Sequence, residues 1–303
     1  MTGTATGAIS RRPRILLLGA AGQVGRELQR ALLPLGDVTP LTRAQLDLSQ
    51  PPQLASVLAD LKPRWVVNAA AYTAVDRAES DEAAADALNH RLPAFLAERS
   101  ARDGFRLVHY STDYVFDGVA DRPYREDDPT APQGVYGRTK LAGEQAALQA
   151  PDALVLRLSW VFGLHGGNFP KTMIRLARER QQLRVVADQH GCPTPAALAA
   201  DLTLLALQRG VTGLHHCCAA GPTTWHAFAQ ATVRSAWQGG LPGLQARPED
   251  VAAITTADFP TPARRPAWSV MDATRLEQAL GLSMPHWQPY VDQLVRHLKE
   301  TGA

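Results

Sequence analysis

An apolar run followed by three regularly spaced glycines constrains the fold of this 303-residue chain more than any other feature. The run at residues 14–18 is typical of a buried strand, and residues 24–33 have the pattern of an amphipathic helix. Gly19, Gly22 and Gly25 lie at the junction of these two segments. Such a turn lets backbone N–H groups approach a pyrophosphate at the positive end of a helix. We therefore predict a dinucleotide-binding turn, and a turn shaped for packing alone is the alternative.

Strand-like and helix-like patterns alternate along the first half of the chain. Further strand-like runs lie at residues 38–41, 65–70, 107–110 and 154–158. Helical patterns lie at residues 54–61, 83–99 and 140–148, with a break or kink expected at Pro93. Alternation of this kind is typical of βαβ units, so we predict a Rossmann-like α/β fold with a doubly wound parallel sheet.

The second half is less regular and carries a proline-rich stretch at residues 259–266. Its helical patterns lie at residues 170–181, 196–208, 224–235 and 287–298. We predict a disordered leader at residues 1–13, a dinucleotide-binding domain at 14–160 and a smaller, mainly substrate-binding C-terminal domain at 161–303. Some later segments should return to the main sheet, and His215-His-Cys-Cys218 is expected to be a half-buried strand, not a metal site.

The charge and the apolar content narrow the range of partners. A net charge of +2 with scattered basic residues gives no concentrated basic face for nucleic acid. No apolar stretch approaches the roughly 20 residues that cross a bilayer, and residues 1–10 lack the apolar core of a signal peptide. Three cysteines are too few for a disulfide framework. We expect a cytoplasmic protein without nucleic-acid or membrane partners.

The second strand-like run is followed by Thr42 and Arg43, where many dinucleotide folds carry an acidic residue for the ribose 2′-hydroxyl. An arginine at this point can pair with a 2′-phosphate instead. We therefore predict that NADPH is preferred over NADH, and an arginine on a solvated turn is the alternative. Asp47 lies four residues further on.

Tyr136 and Lys140 are four residues apart at the start of a predicted helix, so their side chains share one face. The unperturbed pKa of tyrosine is about 10, and a neighbouring lysine cation is expected to lower it. Thr112 ends the fourth strand-like run, 24 residues before Tyr136. Together they predict a reductase, in which Tyr136 protonates a carbonyl oxygen, Lys140 tunes the phenol and Thr112 orients the carbonyl. Alone, each could be an ordinary surface or capping residue.

Two segments around these residues resemble the dTDP-4-dehydrorhamnose reductase family, a branch of the extended short-chain dehydrogenases/reductases. They read Ser-Thr-Asp-Tyr-Val-Phe-Asp-Gly at residues 111–118 and Val-Tyr-Gly-Arg-Thr-Lys-Leu-Ala-Gly-Glu at residues 135–144. Further segments also resemble the family and occur in the same order along the chain, at residues 22–28, 67–76, 157–163, 188–194 and 260–266. The resemblance covers most of the chain, including the half in which generic short-chain reductases diverge.

The resemblance implies a role for each block. The cofactor would be held by Gly19, Gly22, Gln23, Val24 and Gly25 at the pyrophosphate, by Asp47 and Leu48 at the adenosine, by Ala69, Ala70, Ala71 and Tyr72 near the ribose, and by Tyr136 and Lys140. The sugar would be contacted by Thr112 and Asp113, covered by Trp160, and held at its nucleotide diphosphate by Arg264 or Arg265. A structural loop arginine is the alternative for the last two.

Some members of this family bind magnesium through carboxylates at a dimer interface. Glu27 matches the first of these carboxylates, but Ala197 stands where a glutamate is expected. A hard cation needs several oxygen ligands. We therefore predict no metal site and no magnesium, a solvated Glu27, and a monomer or weak homodimer.

The resemblance implies reduction of the C4 ketone of dTDP-4-dehydro-β-L-rhamnose to dTDP-β-L-rhamnose with NADPH or NADH, a step that supplies surface polysaccharide synthesis. Two alternatives stay open. One is a reductase for another dTDP-4-keto-deoxysugar, and the other is a non-catalytic NADP-binding regulatory subunit. For Cys192, His109 and His190 we predict no role beyond structure.

Overall fold

Short buried runs pair into parallel strands in the computed structural model, which describes residues 12–302. Within these residues the strands are β1 (Arg14–Leu18), β2 (Asp37–Leu41), β3 (Trp65–Asn68), β4 (Arg106–Thr112), β5 (Leu154–Leu158), β6 (Val161–Phe162), β7 (Leu183–Val186), β8 (His190–Gly191), β9 (Thr194–Pro195), β10 (Gly213–His216), β11 (Thr223–Thr224) and β12 (Val251–Ile254).

Helices connect most of these strands. They are α1 (Gln23–Ala31), α2 (Pro51–Leu61), α3 (Val75–Ala78), α4 (Glu82–Asp86), α5 (Leu92–Asp103), α6 (Val135–Ala147), α7 (Phe169–Glu179), α8 (Ala196–Gln208), α9 (Trp225–Gln238), α10 (Thr274–Leu280) and α11 (Gln288–Thr301). In the described part of the chain, no helix is long and apolar enough to span a bilayer.

Six of the strands form one sheet in the order β10-β5-β4-β3-β1-β2, and all neighbours run parallel. The chain places β2 on one side of β1 and the later strands on the other, so the sheet is doubly wound. The order reverses between β1 and β3, and ligands of such sheets bind beside this point, at the carboxyl ends of the strands. The predicted Rossmann-like α/β fold is confirmed.

Successive residues of β1 face opposite layers, as the two-residue period of a strand requires. Ile15 and Leu17 pack in one core layer with Leu28 of α1 and Leu202 of α8. Leu16 faces the other layer, which includes residues of α2 and α5. Helices therefore cover both faces of the sheet, and one of them, α8, comes from the second half of the chain.

The second half divides its elements between the main sheet and a smaller region. Strand β10 pairs with β5 at the edge of the main sheet. The other strands form three pairs, β6 with β9, β7 with β12 and β8 with β11. A separate apolar cluster joins α7, α9, β7 and β12. The domain division at residue 160 stays a prediction. Part of the second half belongs with the main sheet, because α8 and β10 pack on it.

The leader predicted at residues 1–13 falls mostly outside the described part of the chain, which begins at Arg12. The Pro13 carbonyl accepts a hydrogen bond from the Asp37 amide at 2.8 Å, and Arg12 lies 3.5 Å from the Asp37 carboxylate. Arg12 and Pro13 therefore belong to the folded region, because they are bound to the start of β2.

The irregularity expected at Pro93 is a π-helical turn over Ala87–Arg91, directly before α5. Pro93 has no amide hydrogen, so the carbonyl of Asn89, four residues earlier, lacks its α-helical donor. Gly143 of α6 packs against that carbonyl, and a Cβ at Gly143 would lie 1.8 Å from the Asn89 oxygen. The turn fixes Asn89, which is fully buried, between α6 and the segment that follows β3.

Candidate active site

The glycine turn after β1 brings backbone segments closer together than side chains would allow. Gly19 adopts φ +75°, and a Cβ there would lie 2.5 Å from the Ala70 amide nitrogen. A Cβ on Gly25 would lie 2.1 Å from the Gly19 carbonyl oxygen. Gly22 precedes α1, and no side chain within residues 12–302 caps that helix. The first-turn amides of α1 are therefore open to an anionic group, as a pyrophosphate site requires.

The side chains of Gln23 and Val24 are used for packing between the two halves of the chain. Gln23 donates to the Val161 carbonyl at 3.4 Å and accepts from the Asn168 amide group at 3.2 Å. Val24 packs against the core layer that contains α1 and α8. Gln23 and Val24 would therefore contact an anion through their backbone amides and not through their side chains.

The turn after β2 is exposed and holds Arg43 and Asp47. Asp47 accepts hydrogen bonds from the Ser49 amide at 3.0 Å and the Ser49 hydroxyl at 2.8 Å, and these bonds, the backbone one foremost, lower the pKa of Asp47. Leu48 lines a cavity of about 230 Å³ together with residues of α2 and α5. The exposed Arg43 side chain is accessible to a phosphate, as the NADPH prediction requires.

The segment 69–72 leaves β3 at its carboxyl end and is held there by Asn89. The Tyr72 amide donates to Asn89 Oδ1 at 2.8 Å, and Asn89 Nδ2 donates to the Tyr72 carbonyl at 3.1 Å and to the Thr139 hydroxyl at 3.2 Å. Thr139 lies in α6, three residues after Tyr136. Asn89 therefore couples the predicted ribose-binding segment to the helix of Tyr136. It was missed because an asparagine inside a helical pattern carries no recognisable signal.

Thr112 and Asp113 end β4 and are buried. The Thr112 hydroxyl donates to Asp113 Oδ1 at 3.0 Å, and the Ser159 hydroxyl donates to Oδ2 at 2.8 Å. Burial raises the pKa of Asp113, against the effect of hydrogen bonds from Ser269, Ser159 and Thr112. Because both carboxylate oxygens are engaged inside the protein, Asp113 fixes the orientation of Thr112.

Tyr136 lies beside the Thr112 hydroxyl. Burial raises the pKa of Tyr136 to about 12, although the neighbouring Thr112 hydroxyl acts in the opposite direction. The prediction that Lys140 lowers this pKa is wrong for this structure. Lys140 donates to the Tyr110 carbonyl at 2.5 Å, so its ammonium group is directed to the β4 backbone and burial of the phenol dominates.

Lys140 is itself buried, with 2% of its surface exposed. Burial lowers the pKa of Lys140 to about 8, and the charge of Glu144 acts in the opposite direction. Burial, and secondarily the Lys140 charge, hold the pKa of His109 well below its usual value. The site therefore contains a lysine that titrates near neutral pH beside an uncharged imidazole.

Trp160 forms an aromatic wall with a second tryptophan. Its backbone adopts φ +45°, a left-handed conformation that is uncommon for a bulky residue. The Trp160 ring stacks on Trp225 with centroids 3.5 Å apart and an angle of 8° between planes. Gly191 also packs on this ring, and a Cβ there would lie 2.4 Å from Trp160 Cε2. Trp225 was not predicted, because the contact joins residues 65 positions apart.

The two arginines predicted to bind a diphosphate have different environments. Arg264 is exposed. Arg265 donates through both terminal nitrogens to the Asp76 carboxylate, at 3.0 and 2.8 Å, and also hydrogen-bonds Tyr114. The Ala263 amide donates to Asp76 at 3.2 Å. Arg265 therefore fastens its loop to α3, as the structural alternative implies, and the diphosphate role of the exposed Arg264 stays a prediction.

The prediction of a solvated Glu27 is wrong, since this residue is 8% exposed. Its carboxylate lies 3.8 Å from His165 Nε2, and α1 is packed against α8, the helix of Ala197. Packing between these two helices therefore buries the side chain. The described residues contain no group of three or more His, Cys, Asp and Glu side chains that could hold a metal ion. The absence of magnesium stays a prediction.

Contacts join the glycine turn, the segment 69–72 and the predicted catalytic residues, whereas Arg43, Asp47, Leu48, Trp160 and Arg264 lie outside this set. Gly19 touches the segment 69–72, Asn89 joins that segment to α6, and α6 presents Tyr136 to Thr112. The arrangement offers backbone donors for an anionic dinucleotide and a phenol that can donate a proton. The buried cation of Lys140 lies one helical turn away from that phenol.

Comparisons with known proteins match nearly the whole chain to one family. A family model described as RmlD substrate binding domain matches residues 13–300. The dTDP-4-dehydrorhamnose reductase of Burkholderia thailandensis is 46% identical over 298 residues, which cover 94% of this chain and 99% of that protein. A Streptomyces antibioticus protein, described as a probable dTDP-4,6-dihydroxy-2-methyloxan-3-one 4-ketoreductase, is 47% identical over 269 residues, covering 86% of this chain and 88% of that protein.

A solved structure extends the similarity to the whole fold. The dTDP-4-dehydrorhamnose reductase of Bacillus anthracis, crystallised in complex with NADP, has a TM-score of 0.87 and 32% sequence identity. The match covers 93% of this chain and 98% of that chain. The shared architecture therefore includes both the main sheet and the smaller C-terminal region.

Proposed function

This chain belongs to the RmlD family, the dTDP-4-dehydrorhamnose reductases, and from that premise we propose that it reduces the C4 ketone of dTDP-4-dehydro-β-L-rhamnose to dTDP-β-L-rhamnose with NADPH or NADH. The observation that carries the proposal is the Thr112 hydroxyl beside the partly buried phenol of Tyr136, one helical turn from the buried Lys140. A non-catalytic regulatory subunit would not need a phenol, a hydroxyl and a buried ammonium group in this arrangement.

The glycine turn and the segment 69–72 are the parts of the chain that fit a dinucleotide. Gly22 leaves the start of α1 without a side chain, so the first-turn amides can receive the pyrophosphate. Asp47 and Leu48 contact the adenosine end of the cofactor, and Lys140 binds the nicotinamide ribose. When bound, the cofactor supplies the hydride that reaches the ketone carbon.

Tyr136 donates the proton that the ketone oxygen receives. With its pKa raised to about 12, the phenol is fully protonated at neutral pH and is ready to donate as charge develops on that oxygen. Thr112 aligns that oxygen with the phenol once its hydroxyl turns to the ketone from Asp113, to which it donates in this structure. Lys140 holds the nicotinamide ribose beside the phenol. Trp160 covers the sugar, and the exposed Arg264 binds the nucleotide diphosphate.

The activity is expected to fall above about pH 8, because Lys140 loses its charge there and with it one of the donors that hold the ribose. The raised pKa of Tyr136 keeps the phenol protonated throughout this range. We expect kcat/KM for the cofactor to fall by about tenfold for each pH unit beyond this point. The control is Lys140→Met, whose residual activity should lack this dependence. A wild-type value that is flat from about pH 7 to 10 would contradict the assignment.

NADPH is expected to be preferred over NADH, since Arg43 lies exposed after β2 within reach of a 2′-phosphate. Replacing Arg43 by alanine should raise KM for NADPH by about tenfold and leave KM for NADH nearly unchanged. Arg64→Ala removes the same charge directly before β3, at the amino ends of the strands and so away from the cofactor site, and should change neither KM value. A wild-type enzyme that favours NADH would refute the assignment.

The second candidate function is reduction of another dTDP-4-keto-deoxysugar. It is favoured by the Streptomyces antibioticus relative, whose identity of 47% is as high as that of the rhamnose-forming relative at 46%. The catalytic groups are the same in both functions, since they act on the ketone and not on the rest of the ring. The sugar must therefore be identified from the product.

The experiment that separates the two candidates is an assay of two ketosugars, with product analysis by NMR. One is dTDP-4-dehydro-β-L-rhamnose, and the other is the dTDP-4,6-dihydroxy-2-methyloxan-3-one named for the Streptomyces antibioticus relative. We expect dTDP-4-dehydro-β-L-rhamnose to be reduced with the higher kcat/KM and to give dTDP-β-L-rhamnose. A higher kcat/KM for the other ketosugar would assign the second function. Cofactor binding without reduction of either would favour the regulatory subunit.

Three further expectations concern the whole protein. We expect no magnesium requirement, a monomer or weak homodimer, and a cytoplasmic location. The first two can be tested by measuring activity in a chelator and by light scattering after size-exclusion chromatography.

A further inference from the structure

The helix that carries Tyr136 is capped by a side chain from a distant element. Gly134 precedes α6 and has no side chain of its own to act as a cap. The first amide of the helix, that of Val135, donates instead to Glu79 Oε1 at 2.8 Å, across 56 residues of sequence. Tyr136 is the next residue. A carboxylate at this place satisfies an otherwise open amide and interacts favourably with the positive end of the helix.

Gly134 makes room for that carboxylate. A Cβ on Gly134 would lie 2.6 Å from Glu79 Oε1 and 3.7 Å from Glu79 Cδ, and no other described atom outside its immediate neighbours lies within 4 Å of it. The backbone of Gly134 has φ −135° and ψ 172°, an extended conformation that any residue can adopt. The absence of a side chain at this position is therefore explained by the approach of Glu79 and not by backbone conformation.

Glu79 is held in place by its neighbours in sequence. Ala78 is buried and packs in an apolar cluster with Val135, against which Tyr72 and Tyr136 also pack. Asp81 accepts a hydrogen bond from the Tyr72 hydroxyl at 3.1 Å. On the other side of Glu79, α3 is fastened to the C-terminal loop through Asp76 and Arg265. The segment from α3 to Asp81 is therefore anchored on both sides of Glu79, whose exposed side chain reaches the catalytic helix.

From the contact between Glu79 and the Val135 amide we propose that Glu79 is a positioning residue, which fixes the first turn of α6 and thereby the phenol of Tyr136 relative to Thr112. The proposal deepens the proposed function and rests on it. It does not place Glu79 in contact with substrate or cofactor. A displacement of a reacting group by about 1 Å can lower a rate up to 10²-fold, so a moderate effect on the chemical step is expected.

Two single substitutions remove the contact from its two sides. Glu79→Ala removes the acceptor, and Gly134→Ala places a methyl group where the carboxylate lies. We expect each to lower kcat about fivefold with little change in KM, and to raise the solvent isotope effect, because proton donation becomes slower. Glu79→Gln keeps an acceptor oxygen and should retain most of the activity. Unchanged kcat and isotope effect in both alanine variants would overturn the proposal.

The double variant Glu79→Ala/Gly134→Ala provides the sharpest control. Since the added methyl group meets only Glu79, Gly134→Ala should cost nothing further once Glu79 is absent. Independent, multiplicative losses of kcat would overturn the proposal, as would a Glu79→Gln variant as slow as Glu79→Ala. Should Glu79→Ala fail to fold, the comparison of Gly134→Ala with wild type decides by the same readouts.

Hydrogen exchange separates this proposal from the proposed function. In Glu79→Ala the amides of residues 134–138 should exchange faster than in wild type, whatever reaction the protein catalyses. If these amides exchange faster in Glu79→Ala but the wild type reduces no ketone, the capping role of Glu79 is supported and the proposed function is rejected. Normal reduction with unchanged exchange in the variant would reject the cap.

Discussion

Replacing Tyr136 by phenylalanine is expected to lower kcat for ketone reduction by about 10²- to 10⁴-fold, the range attributed to a positioned proton donor. KM for sugar and cofactor should change little, because the ring stays in place and only the phenolic oxygen is lost. Burial raises the pKa of the phenol to about 12, so the wild-type group donates a proton and is not a resident phenolate. Steady-state kinetics at saturating cofactor measures both constants.

The matched control for this substitution is Tyr290→Phe, which removes a phenol from α11, an element outside the site. Its kcat should equal that of wild type within about twofold, since it contacts no reacting group. A Tyr136→Phe enzyme with wild-type kcat would show that another group delivers the proton. The hydroxyl of Thr112, which lies beside Tyr136, would then be the next candidate.

Replacing Arg157 by methionine is expected to lower the free energy of unfolding by about 3–5 kcal/mol, because it leaves the carboxylate of Glu144 buried and unpaired. The Arg157 and Glu144 side chains are only 2% and 3% exposed. Arg157 donates to the two oxygens of Glu144 at 2.9 and 2.6 Å and lies over the Phe116 ring at 4.9 Å. Denaturant unfolding of wild type and variant measures the difference.

The control for this prediction is the double variant Arg157→Met/Glu144→Leu, which replaces both charges with apolar groups of similar length. A buried ion pair is often no more stabilising than well-packed apolar residues, so the double variant should regain most of the lost stability. A loss below about 1 kcal/mol in Arg157→Met alone would mean that the Glu144 carboxylate takes up a proton or reaches water at little cost.

The residues that could be predicted from the sequence act through local spacing. Tyr136 and Lys140 are one helical turn apart, Gly19 and Gly22 lie in the turn between β1 and α1, and Gly25 lies in the first turn of α1. A helix or a turn fixes such neighbours whatever the rest of the chain does. Thr112 could be placed because the end of a buried strand lies at the ligand-binding edge of a parallel sheet.

The residues that were missed act through contacts between distant parts of the chain. Asn89 holds Tyr72 through a π-helical turn that depends on how Gly143 of α6 packs against Asn89 and Pro93. Glu79 reaches Val135 only after α3 has been placed beside α6. Such pairings are set by tertiary packing, which periodicity and local propensity do not describe.

The two wrong predictions, on Lys140 and Glu27, have the same origin. Lys140 was expected to lower the pKa of Tyr136, but its ammonium group donates to a carbonyl of β4 and burial of the phenol dominates. Glu27 was expected in solvent, but the packing of α8 on α1 covers it. Burial depends on elements far along the chain, and it controls both ionisation and exposure.

Ketone reduction is tested most directly by cofactor oxidation with the wild-type protein, followed at the absorbance of NADPH, with dTDP-4-dehydro-β-L-rhamnose added last. We expect oxidation that begins with the sugar, stops at one equivalent of cofactor per ketone, and gives dTDP-β-L-rhamnose as the product. Binding of NADPH without any oxidation on addition of the sugar would contradict this expectation.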